Sequence, residues 1–231
     1  MGKIGKENWW QVMGSYLSEI TIEERSSPYN KVLQVILKNG RYQLCTENAI
    51  YSYDDLYTNF AKAFTAINVA NQQIEDVLLL GLGLGSIPFI LEKKFQMDCQ
   101  LTAVEIDEEV VDLAHQYVLK DLKMPINSIC TDAQYFLQMD SQQYDLICMD
   151  IFQDDQIPEH FLGRAFLEQI EARLRPGGIL LFNHLALTKE DKRIATDYYT
   201  QIFLPYFPKA TYIDAASNYV FLNHERFLDR S

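Results

Sequence analysis

Residues 77–86 run from an apolar segment straight into a glycine-rich turn, and this junction restricts the possible folds more than any other feature of the chain. Residues 77–80 are continuously apolar, as expected for a parallel strand that is covered on both faces. Gly81, Gly83 and Gly85 follow, and a helical run begins directly after them. Glycines let the backbone turn tightly and let a ligand lie against main-chain N–H groups at a helix N-terminus. The junction therefore predicts a strand–loop–helix unit with a ligand at its loop.

Strand-like and helical segments alternate after residue 76, which is typical of a doubly wound α/β sheet. The predicted strands are residues 76–80, 100–105, 127–130, 144–149, 177–183, 210–214 and 218–223. The predicted helices are residues 86–95, 107–120, 132–139, 161–174 and 189–204. No helix separates the last two strands, so they are predicted to form an antiparallel hairpin. The pattern predicts an α/β fold built on a mainly parallel seven-stranded sheet.

The N-terminal part, residues 1–53, is predicted to form a small helix and β-hairpin element ahead of a main domain over residues 54–231. Apolar residues at helical spacing predict a short helix within residues 7–20. Asn39 and Gly40 separate two strand-like runs, and Asn-Gly favours a type I′ turn because both residues take φ > 0. A further helix is predicted from Asp54 towards residue 69, with Asp54 or Asp55 as its N-cap.

The overall charge limits the classes of partner. Twenty Lys and Arg against 32 Asp and Glu give a formal net charge of −12, which disfavours binding to nucleic acid or anionic lipid. No apolar run approaches the roughly 18 residues of a membrane helix. The first residues lack the apolar core of a signal peptide, and the four cysteines lack metal-ligand spacing. We expect a cytoplasmic protein with a small-molecule substrate and with no metal, nucleic-acid or membrane partner.

Two acidic residues follow predicted strands at the edge where ligands bind. Glu105 closes the strand over 100–105 and lies 20 residues after Gly85, where a carboxylate can accept hydrogen bonds from both hydroxyls of a ribose. Asp150 follows the strand over 144–149. An acceptor at that position can orient a nucleophile and take its proton, so Asp150 is the predicted catalytic residue. Together with the glycines, Glu105 predicts a cofactor that contains adenosine.

Several segments resemble the spermidine synthase-like group of the S-adenosylmethionine-dependent methyltransferase superfamily. Leu79 is aliphatic, as in that group, and residues 104–107, Val-Glu-Ile-Asp, look like its Glu-Ile-Asp signature. Residues 130–133, Cys-Thr-Asp-Ala, resemble its third-strand motif, and Asp150 matches the first acid of its Asp-Ser-Ser-Asp loop. The resemblance covers roughly residues 29–185 and implies a class I methyltransferase-like Rossmann fold, a homodimer, and S-adenosylmethionine or decarboxylated S-adenosylmethionine as cofactor.

The same resemblance assigns roles to individual residues. Asp132 is expected to bind the adenine amino group, although it also fits the N-cap of the next helix. The implied cofactor-binding residues are Gly81, Gly83, Gly85, Glu105, Ile106, Asp132, Ala133 and Asp150. The candidate substrate-binding residues are Tyr51, Asp54, Asp55, Phe152 and Asp154, with Tyr57 as a further candidate for the wall. Asp154 and Asp155 are alternatively solvated loop acids, and capping or packing explains the tyrosine and aspartate cluster nearly as well.

The sequence departs from the group at two acids. Leu84 occupies the position of a glycine-loop Asp that helps to hold the aminopropyl amine, and Gln153 occupies that of the second loop Asp. These departures favour a spermidine synthase-like methyltransferase that acts on an unidentified small molecule, such as an amine. Aminopropyl transfer from decarboxylated S-adenosylmethionine is the first alternative, and a catalytically silent nucleoside-binding protein is the second. A nicotinamide oxidoreductase is the third, although its fingerprint has Gly or Ala where this chain has Ser86.

Overall fold

A computed structural model describes residues 9–47 and 57–229, together with the main chain of residues 50–52. The chain forms two β-sheets. One is a four-stranded antiparallel sheet near the N-terminus, and the other is a seven-stranded mixed sheet. Among the described residues, no helix combines the length and the apolar character that a membrane crossing requires.

The N-terminal sheet contains more strands than the predicted hairpin. Helix α1 (Trp9–Gly14) precedes the strands β1 (Ile20–Arg25), β2 (Leu33–Lys38), β3 (Arg41–Cys45) and β4 (Ile50–Ser52), which pair in that order. The predicted β2–β3 hairpin is confirmed, because Asn39 and Gly40 have φ of 52° and 72° at its turn. The helix predicted within residues 7–20 is too long, since Ile20 starts β1 and pairs with Leu37. Pairing with β2 outweighs the helical spacing of that residue.

The seven-stranded sheet and its flanking helices confirm the predicted α/β fold. Its strands are β5 (Asp76–Leu80), β6 (Gln100–Glu105), β7 (Ile126–Cys130), β8 (Tyr144–Met149), β9 (Leu174–Leu185), β10 (Thr211–Asp214) and β11 (Asn218–Leu222). They lie in the order β10-β11-β9-β8-β5-β6-β7, with β5 to β9 parallel and β10 and β11 antiparallel to their neighbours. The last two strands therefore form the predicted hairpin.

The helices lie between the strands, as the alternation predicted. They are α2 (Thr58–Ala66), α3 (Ser86–Phe89), α4 (Glu108–Tyr117), α5 (Ala133–Met139), α6 (Arg164–Arg173), α7 (Lys189–Tyr198) and α8 (Leu204–Tyr206). A π-helical turn extends α3 over Ile90–Lys94, and another joins α7 to α8. The predicted N-cap of α2 at Asp54 or Asp55 is wrong, because the helix begins at Thr58 with Tyr57 before it. Both aspartates lie outside the described residues, as does the predicted domain boundary between residues 53 and 54.

Strand β5 lies at the point where the chain reverses its direction across the sheet. It pairs with β6 on one side and with β8 on the other. From β5 the chain moves outward to β6 and β7, and then returns to β8 and β9. In an open α/β sheet the carboxyl ends of strands at such a reversal enclose a crevice, and ligands bind there. The glycine-rich loop after β5 therefore borders the crevice.

The two faces of β5 explain why its sequence is continuously apolar. Val77 and Leu79 belong to one buried cluster, which also contains Phe60 and Phe64 of α2. Leu78 and Leu80 belong to a second cluster on the other face, together with side chains of α5, α6 and α7. Both faces exclude water, and the hydrophobic term favours an apolar residue at each position.

A third buried cluster joins the N-terminal sheet to the main sheet. Leu33 and Leu37 of β2 pack there with Val110 and Leu113 of α4, and Leu84 of the glycine loop belongs to the same cluster. The N-terminal sheet is therefore packed directly behind the loop that borders the crevice.

Replacing Gly81 by alanine tests how closely the ends of β5 and β8 approach. Gly81 has φ of 91°, and an added Cβ would overlap the main-chain carbonyl of Asp150. We expect Gly81→Ala to lower the free energy of unfolding by about 2–4 kcal/mol in urea titrations. Gly163→Ala is the control, because Gly163 has nothing within 4 Å of the added carbon; its effect should stay within about 1 kcal/mol. Equal effects of the two substitutions would contradict the close approach.

Candidate functional site

A cleft of about 940 Å³ lies at the carboxyl ends of the parallel strands. It is lined by most of the site residues expected from the sequence, namely Gly81, Gly83, Glu105, Ile106, Asp132, Ala133, Asp150, Phe152 and Asp154. Gly85 does not line it, and an added Cβ there would lie 2.7 Å from the Leu119 side chain on the far side of the loop. Asp54, Asp55 and the Tyr51 side chain lie outside the described residues. The structure thus gathers residues from four strand ends in one place.

Glu105 joins the end of β6 to the glycine loop. Its Oε2 accepts hydrogen bonds from the main-chain N–H groups of Leu82 at 3.1 Å and Gly83 at 3.5 Å. Its Oε1 accepts from Ile106 at 2.9 Å and Asp107 at 3.2 Å. Burial raises the pKa of the carboxyl, although these four donors oppose the shift. The side chain points into the bend of the loop, where a ribose is expected, and a ribose hydroxyl could replace the long contact to Gly83.

Asp132 caps helix α5 and also lines the cleft. Its Oδ1 accepts a hydrogen bond of 2.9 Å from the main-chain N–H of Tyr135. Its Oδ2 lies 3.9 Å from Nε2 of His160, a second residue of the cleft wall. The capping role is confirmed, and the adenine-binding role stays a prediction.

Asp150 is a carboxyl group of the cleft whose pKa is strongly raised. Asn183 donates its side-chain N–H to Oδ1 at 2.8 Å, and the Tyr57 hydroxyl donates to Oδ2 at 2.7 Å. Burial raises the pKa of Asp150 to about 6, the negative charge of Glu105 adds to the shift, and the two donors oppose it. Burial and the neighbouring Asp150 also raise the pKa of Tyr57 well above its usual value. The phenol therefore remains a proton donor to this carboxylate at neutral pH.

Asn183 is a site residue that the sequence reasoning missed. It is fully buried near the end of β9 and lines the cleft beside Asp150. Within the described part of the chain, its Oδ1 has no hydrogen-bond partner. A buried amide oxygen without a partner is unfavourable unless a ligand donates to it. The rule that singled out Glu105 and Asp150, a polar residue at a strand's carboxyl end, would also have found Asn183.

The connection between β1 and β2 forms another wall that the sequence did not indicate. Ser27 and Asn30 donate hydrogen bonds of 2.5 Å and 2.7 Å to Oδ2 of Asp107, whose Oδ1 caps helix α4. This attachment places Tyr29 and Asn30 in the lining of the cleft. No motif within residues 26–31 points to a site, so only the tertiary structure identifies them.

The loop after β8 closes the cleft from the opposite side. Phe152, Gln153, Asp154 and Asp155 all line it. Oδ1 of Asp154 accepts a hydrogen bond of 3.0 Å from the Thr46 hydroxyl, which follows β3. The N-terminal sheet therefore supports this loop as well as the glycine loop.

Leu84 and His184 lie near the strand ends but outside the cleft lining. Leu84 is fully buried in the cluster shared with β2, on the side of the loop away from the cleft. His184 is buried against Tyr198 and Phe221, and burial lowers its pKa. It is therefore a core histidine.

The charge of the cleft is uniformly acidic. Six carboxylates line it, contributed by Glu105, Asp132, Asp150, Asp154, Asp155 and Asp191. The described lining includes no Lys or Arg. The described residues also contain no group of three or more His, Cys, Asp and Glu side chains that could hold a metal ion. Because charges of one sign along a cleft raise the local concentration of the opposite ion, this cleft favours cations over anions.

Comparisons with known proteins agree with this geometry. The family described as methyltransferase domain matches residues 77–178, which include β5 to β8 and the start of β9. A polyamine aminopropyltransferase of Vibrio vulnificus is 28% identical over 160 residues, which are 66% of this chain and 51% of that protein. The chain is therefore similar to S-adenosylmethionine-dependent methyltransferase domains of the spermidine synthase-like group. It spans about half the length of the Vibrio relative.

Solved structures of other proteins show the same fold as this chain. Spermidine synthase from Thermotoga maritima superposes with a TM-score of 0.68 and 12% identity, over 90% of this chain and 76% of that chain. Human methyltransferase-like protein 13 in complex with SAH gives 0.59 and 19% identity, over 75% of this chain and 83% of that chain. At these identities the likeness establishes the fold and leaves the reaction open.

The raised pKa of Asp150 has a consequence for stability. A carboxyl group whose pKa is raised in the folded state destabilises the fold when it ionises. The contribution of Asp150 to the free energy of unfolding therefore decreases as the pH is raised from about 4 to about 6. Asp150→Asn removes the group that ionises. We therefore expect its effect on the free energy of unfolding to be about 1–3 kcal/mol more stabilising at pH 7.5 than at pH 4.5. Urea titrations at both pH values measure the difference.

Asp155→Asn is the matched control, because Asp155 is exposed in the same loop and its replacement removes the same charge. If Asp150→Asn gave no more stabilisation at pH 7.5 than at pH 4.5, burial of an ionised Asp150 would be contradicted.

Proposed function

We propose that this chain transfers an alkyl group from an S-adenosylmethionine-type sulfonium to an amine, with aminopropyl transfer to a polyamine as the first candidate. The observation that carries the proposal is the partly buried Asp150, held by Tyr57 and Asn183 in a cleft without described Lys or Arg residues. Both substrates of such a reaction are cations, and the net charge of −12 attracts them at long range.

The residues present fit an adenosyl sulfonium. Gly81 and Gly83 line the cleft, and Glu105 lies in the bend of their loop. Asp132 and Ala133 would border the adenine, and Glu105 would bind the ribose. When bound, such a cofactor supplies an electrophilic carbon attached to a neutral thioether leaving group. The protein's own contribution is then to align the nucleophile with that carbon and to exclude water.

Asp150 would hold the attacking amine and accept its proton. With a pKa of about 6, Asp150 is ionised at neutral pH. Because this pKa lies close to neutral pH, the carboxylate can also accept a proton readily. Tyr57 and Asn183 fix the orientation of the carboxylate, since each donates a hydrogen bond to it. The unpartnered Oδ1 of Asn183 provides a second acceptor for the same amine.

Two observations support the aminopropyl group as the one transferred. The Vibrio relative is named a polyamine aminopropyltransferase and covers 66% of this chain. S-adenosylmethionine also carries a carboxylate, and the described cleft lining offers no Lys or Arg to pair with it. Decarboxylated S-adenosylmethionine lacks that carboxylate and therefore avoids repulsion by the acidic walls.

Methyl transfer is the second candidate, and it rests on a different observation. Leu84 is buried behind the loop, so no acid at this position faces the cleft to hold an aminopropyl amine. Gln153 likewise lines the cleft without a charge. The family match over residues 77–178 is to a methyltransferase domain.

The products of the reaction distinguish the two candidates. The purified chain is incubated with putrescine, cadaverine or spermidine and with either form of the cofactor, and products are identified by mass spectrometry. We expect decarboxylated S-adenosylmethionine to yield methylthioadenosine and an aminopropylated amine. S-adenosylhomocysteine and a methylated amine would instead establish methyl transfer. Absence of all four products with every amine would contradict the transferase.

Asp150→Asn tests the assigned role within the same assay. Loss of the proton acceptor is expected to lower kcat by about 10²–10⁴-fold, whereas the exposed Asp155→Asn should change it less than about fivefold. The wild-type rate should decrease when the pH is lowered below about 6, because Asp150 then becomes protonated. Full activity of Asp150→Asn would remove Asp150 from the mechanism.

A further inference from the structure

The loop after β8 forms the part of the cleft wall beside Asp150. Its two ends are held by Ile151 and Ile157, which both pack against the buried cluster on the side of the sheet that carries α5, α6 and α7. Residues 152–156, which we call the wall loop, connect these two side chains, and three of the five residues are exposed. The core therefore fixes the ends of the wall loop, whereas its middle depends on more local contacts.

The wall loop folds into a tight turn around Asp154. The main-chain N–H of Gln153 donates to the carbonyl of Gln156 at 2.8 Å, and the N–H of Gln156 donates back to the carbonyl of Gln153 at 3.1 Å. Asp154 has φ of 54°, a left-handed conformation that aspartate adopts more readily than most residues with a side chain. These contacts fix the shape of the wall loop, but they do not attach it to the rest of the protein.

A hydrogen bond between side chains joins the turn to the N-terminal sheet, and we call this bond the tether. The hydroxyl of Thr46, which follows β3, donates to Oδ1 of Asp154 at 3.0 Å, across 108 residues of sequence. Both side chains are partly buried, so water competes less for this bond than on an open surface. Thr46 itself does not line the cleft, and it therefore acts on the cleft only through the wall loop.

Asp154 can contribute to amine transfer in two ways. Its charge can bind the amine, as predicted from the sequence, or its bond to Thr46 can place the wall loop. The structure favours the second role, because the carboxylate is engaged by Thr46 and is less exposed than its neighbour Asp155. We propose that Asp154 is a positioning residue, which holds the wall loop beside Asp150 through the tether. This inference rests on the amine transferase proposed above.

The tether acts on the side of the cleft where the amine would be held. Phe152 and Gln153 of the wall loop line the cleft directly after Asp150 and Ile151. The predicted contacts of the adenosyl group lie elsewhere, with Glu105 at the end of β6. A loosened wall loop should therefore weaken binding of the amine and leave binding of the cofactor unchanged.

Three variants separate the tether from the charge of Asp154. Thr46→Val removes the hydroxyl and keeps a β-branched side chain. Asp154→Gly removes the acceptor and introduces a residue that adopts positive φ without strain. Asp154→Asn removes the charge, but its amide keeps an oxygen that accepts a hydrogen bond.

Steady-state kinetics with putrescine and decarboxylated S-adenosylmethionine measure the effect. We expect Thr46→Val and Asp154→Gly each to raise KM for putrescine about 3–10-fold, as for the loss of one hydrogen bond, and to change kcat less than about twofold. Asp154→Asn should keep KM within about twofold of the wild type, because the tether persists. Thr200→Val is the matched control, since Thr200 is exposed outside the cleft and its hydroxyl donates to the main-chain carbonyl of Thr196; it should leave both constants unchanged.

Amide hydrogen exchange measures the tether without turnover. A peptide over residues 151–157 has the same sequence in the wild type and in Thr46→Val, so the two exchange rates compare directly. We expect this peptide to exchange about 3–10-fold faster in Thr46→Val, because the wall loop opens more often. Calorimetric titration with methylthioadenosine should give the same affinity for both proteins.

Unchanged KM or unchanged exchange in Thr46→Val would overturn the positioning role. Equal KM values for Asp154→Asn and Asp154→Gly would also overturn it, and if both values were raised, the charge of Asp154 would bind the amine directly. If the wild type forms no product from any amine while the exchange rates still differ, the transferase is refuted and only the structural tether remains.

Discussion

The carboxylate of Glu105 is the interaction on which the site depends. It links the end of β6 to the first turn of the glycine loop after β5, through hydrogen bonds to Leu82 and Gly83. Without this acceptor, buried main-chain donors at the bend would lose their partner, and the loop would be free to change its path. We propose that the same carboxylate also binds the ribose of an adenosyl cofactor. Loop conformation and cofactor recognition would then depend on one side chain.

The N-terminal sheet supports the site from behind and from both sides. Leu84 anchors the glycine loop in the cluster shared with β2, while Asn30 is bonded to Asp107 at the start of α4 and Thr46 to Asp154 in the loop after β8. A carboxylate at position 84 would be unfavourable in this apolar cluster, because the cost of burying a charge without a partner is large. This packing is consistent with leucine at a position where the resemblance to the spermidine synthase-like group leads one to expect an acid. The negative charge of the cleft comes instead from Asp150 and the acids beside it.

Much of the architecture follows from local sequence patterns. The continuous apolar runs of β5 and β8, the alternation with helices, and the Asn39-Gly40 turn are signals that short segments carry by themselves. Glu105 and Asp150 could be found because Glu105 is the last residue of β6 and Asp150 directly follows β8. Strand β1 was not found, since its residues are only partly buried and it is stabilised by pairing with β2. The N-cap of α2 was misplaced because aspartate before a helical run is a capping signal, yet the helix begins only at Thr58.

The remaining site residues depend on contacts between distant parts of the chain. Asn30 reaches the site through Asp107, 77 residues away, and Tyr57 reaches Asp150 across 93 residues. No local pattern encodes such pairs. The raised pKa of Asp150 likewise depends on how deeply the assembled cleft buries it. Sequence reasoning therefore reached the strand ends, whereas the donors that tune them required the tertiary structure.

Calorimetric titration with methylthioadenosine, which carries the adenosine and thioether without the aminopropyl group, tests whether Glu105 binds the cofactor. We expect binding of one molecule per chain, with an affinity that falls about 10–100-fold in Glu105→Gln, since the amide loses charge-assisted hydrogen bonds of about 1.5–3 kcal/mol. No detectable heat at millimolar concentration, or equal affinities of the wild type and Glu105→Gln, would contradict it.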